Sequence, residues 1–280
     1  MNLYTIDTEL FKLDGGAMFG VVPKSLWQKL NPGDANNMCS WAMRCLLVED
    51  GDRLLLIDTG IGNKQSDKFF GHYYLDHTNT LKKSLNKLNF TPQDITDVIL
   101  THLHFDHVGG AVEWNKDKTY YQTTFPNAKY WVSKGQWDLA LNPNPREKAS
   151  FLKENILSIQ ALGQLNFVED VVKVHPNIDF IRVNGHTEQM ILPLIKHQKE
   201  TILYCADLLP SSHHTPLPYV MAYDTQPLIT LKEKEAILLK AHQEKWLLYF
   251  EHDPQIACGK VLFENNRFST VYQSDLNEWL

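Results

Sequence analysis

Residues 101–110 read Thr-His-Leu-His-Phe-Asp-His-Val-Gly-Gly, so three imidazoles and a carboxylate (His102, His104, Asp106 and His107) fall within six consecutive positions. An apolar run, Val98, Ile99 and Leu100, leads into them, and Gly109 and Gly110 follow. A helix would scatter these groups around its axis, because it advances about 100° per residue. An extended chain puts His102, His104 and Asp106 on one side, since strand side chains alternate. His107 then faces elsewhere unless the backbone turns, and the glycine pair predicts such a turn. One short segment can therefore serve two adjacent metals, with a pair of ligands for each. Burying the four groups unpaired would cost roughly several kcal/mol apiece. Imidazole combined with carboxylate suits zinc-like ions.

The rest of the chain is ordinary by comparison. It has 280 residues, 43% of them hydrophobic and 21% charged, which is enough material for a core and typical of a globular protein. A net charge of −6 argues against nucleic acid as the main partner. No apolar run approaches the ~18 residues of a membrane span. The first residues lack a basic start and an apolar core, so cytoplasm is the expected location, with neither membrane nor nucleic acid as partner. Cys39, Cys45, Cys205 and Cys258 show no CxxC spacing, which speaks against a disulfide framework or a cysteine-zinc site. No low-complexity linker marks a boundary, so residues 1–280 read as one α/β domain.

Along the chain, residues 14–20 form a glycine-rich turn with an apolar tip, Met18 and Phe19, that either folds onto the core or lines a pocket. Strands are expected at 41–48 and 53–57, the second running into Asp58. Leu81, Leu85 and Leu88 mark one face of a helix, and the segment 91–94, Thr-Pro-Gln-Asp, reads as a further helix start. A short strand follows at 129–133. Residues 135–165 turn helical, interrupted by Asn-Pro-Asn-Pro at 142–145, and this excursion carries no ligand cluster. Further strands are expected at 179–183, 190–195, 201–206 and 246–251. Thr230 and Glu233 make a capping box for a helix running to about His242.

These elements contain an echo. In the first half a strand ends in Asp58 and, after a helix, a later strand ends in His102. In the second half a strand ends in Asp207 and, after a helix, a later strand ends in His252. Two β-rich layers with helices outside, packed face to face, would bring both sets of strand ends to one edge.

Two metals need more ligands than the cluster holds. His186 follows Gly185, whose flexibility permits a tight aiming turn, and Asp207 and His252 each end an apolar run. The full set is then His102, His104 and His186 for one ion, Asp106, His107 and His252 for the other, with Asp207 bridging. Asp58 begins an Asp-Thr-Gly triplet, which aspartic proteases also carry. That chemistry needs a second such carboxylate, and the chain offers only Asp224-Thr225-Gln226. Asp58 is better read as an acceptor that orients a ligand histidine.

Taken together, His-Leu-His-Phe-Asp-His-Val-Gly-Gly, Gly185-His186-Thr187, Asp207 and His252 resemble the metallo-β-lactamase superfamily over roughly residues 40–255. Residues 14–24, 206–210 and 250–254 resemble its branch of N-acyl-homoserine-lactone lactonases and methyl-parathion-hydrolase-like enzymes. The resemblance implies a four-layer αβ/βα sandwich and a dinuclear hydrolase, usually with zinc. Two departures stand out. The family's Gly-His-Thr-Pro-Gly-His is here continued as Thr187-Glu188-Gln189-Met190. The tyrosine that such lactonases carry three residues after the bridging aspartate is here Pro210, and Tyr223 is the candidate replacement phenol.

The chemistry expected of such a chain is hydrolysis. Two neighbouring cations lower the pKa of a bridging water, polarise a carbonyl oxygen and stabilise the oxyanion that forms. Asp106 is the candidate to orient that nucleophile and pass its proton to the leaving group, with Asp207 holding both ions. A small molecule with a hydrophobic part is the expected substrate, contacted by Met18, Phe19, Phe105, His213, His214 and Tyr223, in a monomer or homodimer. Lactones, phosphotriesters, carboxyl esters and thioesters all suit this chemistry. A di-iron oxidoreductase would present a carboxylate in place of His104 and a flavin domain behind it, and a non-catalytic scaffold would have lost a ligand.

Overall fold

The computed structural model describes residues 1–279, which cluster into two compact units. One combines Met1–Glu9 with Met43–Val174, and the other combines Leu10–Ala42 with the chain from His175 onward.

The first unit is built on a six-stranded sheet whose strands follow chain order: Asn2–Ile6, Cys45–Asp50, Arg53–Ile57, Asp97–Ile99, Lys129–Val132 and Leu165–Phe167. The first three pair antiparallel and the rest parallel. Leu46, Leu47 and Val48, and likewise Leu55, Leu56 and Ile57, are buried one after another. Such runs belong to strands covered on both faces. The expected helix forms at Leu81–Lys87, where Thr80 caps it by accepting from Lys83 N at 3.2 Å. Its Leu81 and Leu85 enter a core with Leu56, Val98 and Trp137.

Four local expectations are corrected here. Residues 41–48 are not one strand, because Met38–Trp41 pairs with Phe11–Asp14 while Cys45–Asp50 joins the sheet. Thr91 does not start a helix. Its N and Oγ1 both donate to Asp94 Oδ2 at 2.7 Å, closing a turn that leads directly into the strand Asp97–Ile99. The segment 135–165 is helical only at Lys134–Leu141 and Leu157–Ala161, with single 3₁₀ turns between them and an edge strand at Leu165–Phe167. The glycine-rich turn at 14–20 is a short helix, Gly15–Phe19, capped by Asp14, which accepts from Ala17 N at 2.9 Å.

The second unit repeats the plan. Its six-stranded sheet also follows chain order: Ile178–Val183, Met190–His197, Glu200–Tyr204, Leu247–Tyr249, Cys258–Glu264 and Arg267–Ser274. The last two were not foreseen, although Asn265 and Asn266, both at positive φ (50° and 58°), are the usual chemistry of a two-residue hairpin turn. The helix Pro227–Glu244 begins on its proline and buries Thr230, Lys234, Ile237, Leu238 and Ala241 along one face. Thr230 therefore lies inside the helix rather than at its cap. Glu233 serves a different backbone, accepting from Asn184 N at 2.8 Å and Gly185 N at 3.0 Å. Lys234 Nζ, fully buried, donates to the carbonyls of Pro216 and Tyr219 at 2.8 and 2.9 Å and so ties the 216–219 loop to the helix.

The strand–Asp, helix, strand–His echo is real within each unit. Arg53–Ile57 and Asp97–Ile99 are parallel neighbours, as are Glu200–Tyr204 and Leu247–Tyr249. Parallel neighbours finish side by side, so the residues just beyond them share one sheet edge. All four cysteines are buried free thiols. Among the described residues no helix is long and apolar enough to cross a membrane.

The glycine pair after the histidine cluster is needed for close approach. A Cβ on Gly110 would sit 2.1 Å from the Thr59 carbonyl oxygen, and one on Gly109 would sit 2.0 Å from that of Ile61. Gly110→Ala should therefore cost at least about 1–3 kcal/mol, the usual range for overpacking. A denaturant midpoint equal to wild type, at unchanged m, would show that residues 59–61 yield freely.

Candidate metal centre

In the first unit the site grows from Asp58. It follows the strand Arg53–Ile57 at a φ of 57°, a left-handed conformation that costs a non-glycine residue about 1–3 kcal/mol. The fully buried carboxylate holds the next strand's end. Oδ1 accepts from Thr101 N at 2.8 Å, and Oδ2 accepts from Thr101 Oγ1 at 2.7 Å and lies 3.2 Å from His107 Nδ1. Thr101 spends its only hydroxyl proton on Asp58, so at 3.1 Å its oxygen accepts from His102 Nδ1. The chain stays extended as far as His104 (φ −67°, ψ 152°) and then makes one helical turn, Phe105–Val108. The fully extended reading of residues 102–106 is corrected accordingly, and the helical turn is what brings His107 back to its neighbours. The His102 ring lies 3.9 Å from that of His107 and 4.6 Å from that of His104, and Asp106 Oδ2 is 3.7 Å from His107 Nε2.

In the second unit the focus is Asp207. Its Oδ2 lies 3.1 Å from His186 Nε2 and its Oδ1 lies 2.9 Å from His252 Nε2, so each oxygen faces a different imidazole. Ala206, just before it, is held at a φ of 42°. His186 Nδ1 faces Asp224 Oδ1 at 2.9 Å, and His252 Nδ1 donates to the Ala42 carbonyl at 2.7 Å. Gly185 keeps an ordinary φ, and what excludes a side chain there is Thr230, whose N and Oγ1 would both sit 2.3 Å from a Cβ. With Glu233 accepting from the 184–185 backbone, this close packing aims His186. Burial opposes a charge on His186, yet Asp207 and Asp224 together overcome it and raise its pKa to about 10.

The donor set suits divalent metal ions. His102, His107, His186 and His252 each direct Nδ1 at an oxygen acceptor, so Nε2 is the nitrogen that can offer a lone pair to a metal, in His186 only after its second proton is displaced. Neutral imidazoles and carboxylates gathered in buried sets are the ligands that zinc-like ions prefer. Asp224, Glu233 and Glu147 were missed by sequence reasoning. Glu147 Oε2 lies 3.4 Å from His104 Nε2, in the excursion read as carrying no ligand cluster. None of the three belongs to a recognisable cluster, so spacing alone gave no signal for them.

The expected substrate contacts divide. Phe19 is fully buried, stacked on Trp27 with ring centroids 5.8 Å apart and on His214 at 4.7 Å, and Met18 is buried beside it. The apolar tip thus folds onto the core of its unit. His214 is corrected outright. Its Nδ1 pairs with Ser211 Oγ at 2.7 Å and its Nε2 with the Met18 carbonyl at 2.9 Å, so neither nitrogen is left for a ligand. Burial drives its pKa down to about 3, keeping the ring neutral. Phe105 packs against Tyr73 and Phe69, with centroids 4.7 and 5.4 Å away. His213 is part-buried and Tyr223 is 41% exposed.

Residues 44–252 match the family model of the metallo-beta-lactamase superfamily. The chain belongs to that superfamily. Its mixed α/β fold is shared with solved members of the metallo-beta-lactamase group and with similar hydrolases. A probable metal-dependent hydrolase from Staphylococcus aureus is 29% identical, with a TM-score of 0.86 over 92% of this chain and 91% of that one. AidC, a dizinc quorum-quenching lactonase solved in complex with a product, is 23% identical, with a TM-score of 0.80 over 98% of this chain and 95% of that one. Among curated relatives, an N-acyl homoserine lactonase of Bacillus cereus is 23% identical over 84% of this chain and 89% of its own length. The protein is therefore a metallo-beta-lactamase superfamily hydrolase.

Two outcomes follow from this geometry. In Asp58→Asn one carboxylate oxygen becomes an amide that points N–H at another donor. Metal affinity should fall roughly tenfold to a hundredfold in chelator competition, and wild-type affinity would reduce Asp58 to a turn former. The second outcome concerns His186. With its pKa near 10 in the metal-free protein, it carries a proton at pH 8 that a metal must displace. Metal uptake at pH 8 should thus release about one proton from this ring, and affinity should rise with pH up to about 10. Asp224→Asn should shrink both effects. Calorimetry in buffers of different ionisation enthalpy measures the release, and none in wild type would show that the ring is already neutral.

Proposed function

We propose that the two ligand sets make one dinuclear centre that hydrolyses lactones, N-acyl-homoserine lactones foremost, with zinc as the working metal. The observation that carries this reading is the placement of Asp207, with one carboxylate oxygen toward His186 and the other toward His252. A carboxylate so divided is made to bridge. His102, His104 and His186 would hold one ion, and Asp106, His107 and His252 the other. The curated relatives named as N-acyl homoserine lactonases support the substrate class.

Bound there, a pair of divalent ions supplies an activated water and an electrophile for the carbonyl oxygen. The residues of the chain do the rest. Asp106 takes a proton from the attacking water on a carboxylate oxygen and returns it to the ring oxygen as the acyl–oxygen bond breaks. Asp58, Thr101, Asp224 and the Ala42 carbonyl keep the rings oriented, so no reorganisation is needed as charge develops. Phe105, His213 and Tyr223 are the proposed substrate contacts. Pro210 cannot supply the phenol that lactonases of this branch place after the bridging aspartate. Tyr73 offers another. It packs on Phe105, and burial together with the charge of Asp106 pushes its pKa up to about 12, so it stays a hydrogen-bond donor at any working pH. The loss of tyrosine at 210 is also what favours the second reading, an esterase or phosphotriesterase on the same centre.

Protein purified without chelator should hold close to two metal equivalents, and Asp207→Ala should lose more than one. A reproducible maximum of one in reconstituted, fully active protein contradicts the dinuclear reading. Hydrolysis assays on that protein decide the substrate. Acyl-homoserine lactones should open, with KM falling as the acyl chain lengthens, because each buried methylene contributes about 0.8 kcal/mol. Tyr73→Phe should lower kcat more than Tyr223→Phe does. Rapid cleavage of aryl phosphotriesters with no lactone opened at any chain length would replace the lactonase reading and leave the dinuclear hydrolase.

A further inference from the structure

The helix Pro227–Glu244 holds two separate segments of its unit with one turn. Thr230, Glu233 and Lys234 are spaced i, i+3, i+4 and so share a face. Thr230 packs so closely on Gly185 that a Cβ there would sit 2.3 Å from both its N and its Oγ1. Glu233 accepts from Asn184 N at 2.8 Å and Gly185 N at 3.0 Å. These two residues seat the segment 184–186, which carries His186. Lys234 has the opposite chemistry and gathers carbonyls. It is fully buried, and its Nζ donates to Pro216 O at 2.8 Å, Tyr219 O at 2.9 Å and Leu217 O at 3.4 Å. Three acceptors call for three N–H groups, which a lysine has only as an ammonium. Beyond Tyr219 the chain passes Asp224, and Thr225 N and Gln226 N then donate to the carbonyls of His186 and Gly185 at 3.0 and 2.8 Å. Asp224 is thus strung between two fixed points, with its Oδ1 2.9 Å from His186 Nδ1.

We propose that Lys234 is a positioning residue for metal binding: it sets the path of residues 216–224 and thereby holds the Asp224 carboxylate against the His186 ring. This inference rests on the metal-binding reading above. Its physical basis is register. His186 and Asp224 are 38 positions apart, on two different loops. A hydrogen-bonded pair between loops keeps its geometry when both loops are fixed to one rigid element. Here that element is a single helix turn, with Glu233 gripping donors of one loop and Lys234 gripping acceptors of the other. Withdrawing an ammonium from water is costly, and Ile237 and Leu238 show that the same face can be filled by apolar side chains. What Lys234 adds is its bonds. Burial lowers its pKa to about 7, and the charge of Asp224 opposes that fall, so the ammonium and the carboxylate also attract each other. Lys234 therefore acts on Asp224 both through the backbone of the loop and through its charge.

The test is a double-mutant cycle on zinc affinity, measured by chelator competition below pH 7, where Lys234 stays an ammonium. It compares wild type, Lys234→Met, Asp224→Ala and the double variant, and denaturant unfolding of the metal-free proteins shows that each is folded. Methionine keeps the length of the lysine stem and has no N–H to donate. Lys234→Met should lose roughly tenfold in affinity, as removal of a partner behind a ligand imidazole does. In the Asp224→Ala background the same change should cost less than about twofold, because no carboxylate is left to position. Lys234→Gln, whose amide can still hold one carbonyl, should fall between wild type and Lys234→Met, and it carries the same cycle if Lys234→Met does not fold. A lysine that only stabilises the fold would lower the unfolding midpoint and change affinity equally in both backgrounds. Equal losses in the two backgrounds therefore overturn the proposal, as does a lysine variant that binds zinc as tightly as wild type. A wild type that takes up no zinc contradicts the metal-binding reading instead.

Discussion

A carboxylate withdrawn from water must be given donors or cations, and this requirement shapes both units. Asp207 receives an imidazole on each oxygen. Asp58 receives a backbone amide, a hydroxyl and an imidazole. An unmatched buried charge would cost several kcal/mol in effective terms, so every neighbouring choice follows from satisfying these two groups. Ala206 and Asp58 adopt left-handed φ angles next to the strands that carry them. Gly185 gives up its side chain to let the Thr230 backbone approach. Asp224 and the Ala42 carbonyl turn His186 and His252 toward Asp207.

The two units solve the problem with the same device. A strand delivers a carboxylate, a helix returns the chain, and a parallel neighbour delivers a histidine beside it. Parallel pairing matters because it alone brings both chain ends to one edge after a helical crossover. Asp58 and Ala206 place backbone strain, and Gly109, Gly110 and Gly185 place tight contacts, beside the clustered side chains, as expected when a site is preorganised at some cost to stability. The neutral, fully bonded His214 in the same unit shows the contrast. It is a core strut whose nitrogens are spent on Ser211 and Met18.

Much of this was legible in the sequence, for definable reasons. The candidate ligands stand out because polar groups that end apolar runs are poorly placed unless they serve a site, and the echo of Asp58 and His102 in Asp207 and His252 is carried by strand and helix periodicity. The misread segments were those where local chemistry had two meanings. Thr91 and Asp94 satisfy each other in a turn as readily as they would start a helix. Thr230 and Glu233 have the spacing of a capping box, yet the helix starts at Pro227 and Glu233 is drawn to Asn184 and Gly185. Met18 and Phe19 gave no sign of which way they would turn, and packing on Trp27 and His214 decided it. Glu147 and Asp224 were invisible because a single acid tens of residues from its histidine leaves no pattern.

The central claim is the proposal that Asp207 bridges a pair of ions held by the chain's histidines and carboxylates. Crystals of zinc-loaded protein, with anomalous diffraction collected at the zinc edge, test it most directly. The account predicts two anomalous peaks, each within bonding distance of one Asp207 oxygen, with His102, His104 and His186 around one and Asp106, His107 and His252 around the other. A single peak, or two peaks that Asp207 does not join, would contradict it.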